Sequence, residues 1–133
     1  MKTQALALAS LFVLVMAAGC STARELEVTG EVTSAQAIAH PITLEFFEVQ
    51  KDAPDAERVS VKKVELAKAG AFTETIEASE DVIIAHALVD ADGDGACTAG
   101  ELWAEAQQEA KEDGTLAAFQ LALEAKPCPA KAE

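Results

Sequence analysis

Between residues 26 and 88 the apolar side chains recur mostly at every second position, separated by short polar turns, and this period restricts the chain more than any other feature. Successive side chains of an extended strand point to opposite faces. Runs such as Leu26, Val28 and Val32, or Ile42, Leu44 and Phe46, therefore lay one apolar face on a core and leave the other wet. The spacing predicts an antiparallel sheet. Gly30 marks a bulge or a close backbone approach within the first strand. In the second strand the apolar set moves to Phe47 and Val49, as a bulge requires, and a third strand slips from Val59 and Val61 to Val64 and Leu66. Asp52-Ala53-Pro54-Asp55 reads as a polar turn, and Ala69-Gly70 turns the chain into a fourth strand with Phe72 and Ile76.

Residues 82–89 are almost continuously apolar, which predicts a central strand buried on both faces, with His86 as a hydrogen-bonded core residue. Residues 101–112 are rich in Ala, Glu and Gln and predict a short helix, with Trp103, Ala106 and Ala110 along the face that packs on the sheet and Asp113-Gly114 at its end. Glu45 with Glu48, and Glu105 with Glu109, read as solvated faces of a strand and of this helix. Residues 115–124 fit either period, but Phe119, Leu121 and Leu123 alternate with polar or small neighbours and predict a final strand. The expected fold is mainly β: a small antiparallel β-sandwich of about six or seven strands over residues 26–128, one short helix, and a loose tail at 129–133. The stretch from Val28-Thr29-Gly30-Glu31-Val32 to Gly70-Ala71-Phe72 resembles the transthyretin-like and carboxypeptidase-regulatory-like β-sandwiches of exported proteins; the resemblance implies fold alone.

The 133 residues carry 23 acidic and 10 basic side chains, a net charge of −13, so a polyanion is repelled and nucleic acid is excluded as a partner. The chain opens with Met1-Lys2-Thr3, runs apolar from Ala5 to Ala18 with only Ser10 polar, and reaches Ala17-Ala18-Gly19-Cys20. That is the layout of an export signal over residues 1–19. Its end resembles the lipobox of bacterial lipoproteins, which implies cleavage after Gly19, a diacylglycerol and a further palmitate-type acyl chain on Cys20, and a tether over residues 20–25. Ser21 after the cysteine implies an outer-membrane address, on the periplasmic or the surface face. The alternative is an ordinary secretory signal with a chance cysteine.

An exported chain persists in a disulfide-permissive compartment, so Cys97 and Cys128 are expected to pair, against the alternative of two buried thiols. Zinc is disfavoured because His40 and His86 stand alone, without ligand spacing.

Residues 90–101 place carboxylates at positions 1, 3, 5 and 12 (Asp90, Asp92, Asp94, Glu101), Gly95 at position 6 and a hydroxyl, Thr98, at position 9. This resembles the loop of EF-hand and dockerin-type calcium sites. The resemblance implies side-chain oxygens from Asp90, Asp92 and Asp94, the carbonyl of Ala96, Thr98 directly or through water, and both oxygens of Glu101. Calcium suits so many oxygens better than magnesium, which demands a tighter octahedron. Cys97 stands at position 8, where paired loops carry an aliphatic residue, and there is no second loop, so a solitary strand–loop–helix site with one constitutive ion is expected. The competing reading is a set of Asp-Gly turns with a Thr98–Glu101 capping box after them.

No Gly-x-Ser-x-Gly elbow, paired Cys and His, or His-Glu-x-x-His helix is present, so no catalytic residue is assigned. The sequence points to a lipid-anchored cell-envelope protein holding one structural calcium ion and serving as a binding or structural module, with an envelope protein or polysaccharide as partner. The alternative is an accessory subunit or domain of an envelope polymer-processing enzyme or of a transporter.

Overall fold

The computed structural model describes residues 23–52 and 57–128. Cys20 with the signal segment, most of the expected turn at 52–55, and the tail at 129–133 lie outside them. Seven strands succeed one another: β1 (Arg24–Ser34), β2 (Ile42–Val49), β3 (Val59–Leu66), β4 (Gly70–Ala78), β5 (Val82–Val89), β6 (Leu102–Glu109) and β7 (Phe119–Ala125). They form one sheet in the order β3-β2-β5-β6-β7-β1-β4, rolled into a nearly closed barrel. The mainly β expectation holds, including the final strand.

Burial follows the pleat. Leu26, Val28 and Val32 of β1, Ile42, Leu44 and Phe46 of β2, and Phe119, Leu121 and Leu123 of β7 share one core with Phe72, Ile76, Ile83, Ala85, Ala87 and Val89. The two portions of the rolled sheet meet where the Phe46 and Phe72 rings lie 6.1 Å apart, tilted by 52°. Fully burying a side chain of this size contributes about 2–3 kcal/mol. The edge strands are linked by Lys62 of β3, which donates to the Thr75 carbonyl at 3.0 Å and pairs with Glu74, 3.0 Å away, on β4.

Gly30 is a close approach. A Cβ there would stand 2.5 Å from the Phe119 carbonyl oxygen and 2.5 Å from the Phe72 ring, so only glycine lets β7 and Phe72 close on β1. β1 pairs with β7 in parallel, Gly30 facing Phe119, whereas the other ladders are antiparallel. The bulge expected near Phe47 is a register shift in the β2–β3 ladder: Phe46 faces Lys62 and Phe47 faces Ser60, leaving Val61 as the extra residue. Against β5, β2 keeps an unbroken register. Phe47 and Val49 simply occupy the outer face, where they pack with Val82 and Ile84 in a second apolar cluster.

The expected helix over 101–112 is a strand. β6 pairs antiparallel with β5 from Val82↔Glu109 to Leu88↔Trp103, and no helix occurs among the described residues. The physical reason is tertiary: β5 needs a ladder partner on its second edge, and that demand overrides the helix preference of Ala, Glu and Gln. Leu102, Ala104 and Ala106 face the core, while Trp103, Glu105, Gln107 and Glu109 line the outside.

Candidate metal centre

The loop at 90–101 joins two paired strands, so its ends are fixed by the sheet. Val89 and Leu102 are both core residues, and the chain must reverse between them. The expected strand–loop–helix unit is therefore strand–loop–strand. Gly93 and Gly95 make the reversal with φ of 73° and 75°, a left-handed conformation that costs a side-chain-bearing residue.

The loop gathers the four predicted carboxylates. One ligand oxygen from each of Asp90, Asp92, Asp94 and Glu101 lies within 4.8 Å of the others. Glu101 is the one buried charged residue among those described, 7% exposed, and it anchors the group: its Oε1 accepts from Thr98 N at 2.6 Å and its Oε2 from Ala91 N at 2.6 Å. Asp90 accepts from Gly93 N (3.0 Å) and Gly95 N (2.7 Å), and Asp94 from Ala96 N (2.9 Å). Asp92 accepts from Asp94 N at 3.1 Å, and that backbone donor, together with hydrogen bonding to its neighbours, holds the Asp92 carboxyl below the ordinary range. The Thr98 hydroxyl sits among the acids, 3.0 Å from an Asp92 oxygen and 3.3 Å from an Asp94 oxygen.

Each carboxylate oxygen so engaged keeps a second lone pair. The carboxylates are thus held in place by backbone donors of the loop, and the cluster could hold a metal ion. Of the capping box in the competing reading only the carboxylate half is present: Glu101 Oε1 accepts from Thr98 N, whereas the Thr98 hydroxyl turns to the acids, and a strand follows rather than a helix. Of the remaining predicted ligand residues, Ala96 contributes its N–H to Asp94 and Thr98 its hydroxyl to the acids; Cys20 lies outside the described residues.

Cys97 and Cys128 lie at disulfide distance, S–S 2.06 Å and Cα–Cα 5.8 Å, fastening the loop to the end of β7. Nearby, Trp103 Nε1 donates to the Lys126 carbonyl at 3.2 Å, and Lys126 Nζ sits 4.3 Å from the Trp103 ring centroid. Trp103 is buried, but on the outer face of β6 against His86 and Lys126, not on a face shared with Ala106 as expected.

A second polar arrangement has no counterpart in the sequence reading. On the outer face of the sheet His86 Nδ1 is 3.0 Å from Glu105 Oε2, and Arg58 pairs bidentately with the same carboxylate at 2.8 and 2.9 Å. The His86 hydrogen bond first, and then Arg58, pull the Glu105 carboxyl down to about 2. His86 also stacks on Trp103 with ring centroids 5.6 Å apart. It is hydrogen-bonded as expected, but half-buried on the outside of β5 rather than in the core. The signal that could have found this pair is the antiparallel register, which sets His86 opposite Glu105 once β6 is a strand. A hollow of about 250 Å³ lies on the same face at the other end of the strands, between Val49, Lys51, Arg58, Ile84 and Glu109, away from the acidic loop. No family model matches the chain, and comparison with curated proteins and with solved structures yields no significant match.

Proposed function

We propose that the chain is a lipid-anchored cell-envelope protein that binds one structural calcium ion through residues 90–101 and serves as a binding or structural module. The observation that carries the metal reading is the convergence of Asp90, Asp92, Asp94 and Glu101 within 4.8 Å, with a buried carboxylate at its base. Calcium is favoured over magnesium because the oxygen set that the loop resemblance implies, the four carboxylates with both Glu101 oxygens, the Ala96 carbonyl and Thr98, exceeds the six of an octahedron. When bound, the ion offsets half of the clustered negative charge and cross-links the two ends of the loop. The anchor reading rests on Ala17-Ala18-Gly19-Cys20. No catalytic residue is part of this reading.

Two measurements test it. At a dissociation constant of about 1 mM, typical of extracellular sites, 10 mM calcium should add roughly 1.4 kcal/mol of stability, a rise in melting temperature of about 6 °C for a domain of this size. Asp90→Ala and Glu101→Ala should remove that rise; a rise that survives both variants contradicts the site. Cys20→Ser should move the protein from the membrane fraction to the soluble fraction, and unchanged fractionation contradicts the anchor.

A further inference from the structure

The two ends of the rolled sheet are unlike, and the chain enters at one of them. Arg24 pairs with Ala78 at the start of β1, so the strand is fixed in the sheet from that residue onward. Its guanidinium also donates to the Glu112 carbonyl at 3.3 Å and to Asp81 at 2.5 Å, which ties the entry point to the β4–β5 and β6–β7 connections. The register carries the other strands past it: Val82 lies beside Val49 and Glu109, and Val59 beside Glu48, all at this same end. The opposite end holds Val89, Ile42, Leu66, Gly70, Leu102 and Ala125. The acidic loop and the Cys97–Cys128 bridge are therefore at the end remote from Arg24.

Only Ser21, Thr22 and Ala23 separate Cys20 from Arg24. Fully extended, that link spans about 14 Å. It is shorter than the strands, whose length for an eight-residue strand such as β5 is about 24 Å between end residues. We infer that, in the anchored protein, the end bearing Arg24, Val49, Val82 and Glu109 lies against the lipid surface. The acidic loop is then presented away from the membrane, toward a partner in the aqueous envelope space. The inference rests on the anchor reading above. The tether length, not charge, sets this orientation, since Arg24 and Lys51 at the entry end are paired there with Asp81 and Glu109.

The chain's single tryptophan, Trp103, marks the remote end, where it pairs with Leu88 and Glu124. Val59, 53% exposed beside Glu48, accepts a second marker at the near end, about 17 Å away along the strands. The test uses the full chain, processed in a lipoprotein-exporting bacterium and reconstituted into vesicles with dansyl-labelled headgroups. Energy transfer from tryptophan to the headgroups should be weak for the wild type and at least threefold stronger after Val59→Trp. Ten Gly/Ser residues inserted after Ala23 should reduce the added transfer. Flotation with the vesicles but equal transfer from both proteins, or stronger transfer from Trp103, overturns the orientation and leaves the anchor standing. Failure to float overturns both.

Discussion

Removing the Cys97–Cys128 bridge should destabilise the protein by an amount that the chain length between the two sulfurs sets. The residues are 31 apart, and closing a loop of that size in the unfolded chain corresponds to roughly 3–4 kcal/mol in the chain-entropy model. For a domain of this size the unfolding entropy is about 0.2 kcal/mol/K, so Cys97→Ala with Cys128→Ala should lower the melting temperature by roughly 15 °C. The strands should persist. The β6–β7 seam keeps Leu102↔Ala125 and Trp103↔Glu124, and the Trp103 hydrogen bond to Lys126 closes the same corner without sulfur. Thermal unfolding monitored by far-ultraviolet circular dichroism, in chelator, measures the shift on the full chain. A drop of only a few degrees would refute the loop-entropy reasoning. So would loss of the sheet signal at room temperature, because the bridge would then specify the fold rather than restrict the unfolded chain.

Two substitutions probe the packing and the outer-face charges. Gly30→Ala forces a methyl into the Phe119 carbonyl and the Phe72 ring and should cost about 2–3 kcal/mol in chemical denaturation; adding Phe72→Leu should recover only part, because the carbonyl contact remains. Glu105→Gln should cost about 1–2 kcal/mol at pH 7, a value reduced from the full charged-pair figure because the site is partly wet. With its folded value lowered from 4.5 to about 2, Glu105 adds stability above pH 4.5 that disappears as the pH falls toward 2. The deficit of the variant should therefore shrink over that window, and a deficit that stays constant down to pH 2 contradicts the charge-based account.

The strands from β1 to β4 are legible because one wet face and one core face leave a period of two in the sequence, and β5 because it is apolar on both faces. Leu26, Val28, Ile42, Leu44 and Phe46 are buried where the alternation puts them. β6 reads as a helix because alanine fits any period, and the demand of the β5 edge for a partner is not written in residues 102–109 themselves. The apparent phase change at Phe47 has a cause invisible in one strand: an apolar patch on the outer face, shared with Val82 and Ile84. In the acidic loop position alone is sufficient, since the ligand spacing is local and the four carboxylates need only a tight reversal to meet. The His86–Glu105–Arg58 group is not legible, because it joins β5, β6 and the approach to β3 through a register that only the folded sheet defines.

Titration calorimetry of the disulfide-bonded chain with calcium, and separately with magnesium, reads the occupancy and the ion preference of the 90–101 loop. One calcium ion per chain should bind with a dissociation constant of about 0.1–1 mM, more tightly than magnesium, and Glu101→Ala should remove the heat. No calcium heat at millimolar concentration, or a heat that the Glu101→Ala variant retains, would contradict calcium binding by this loop.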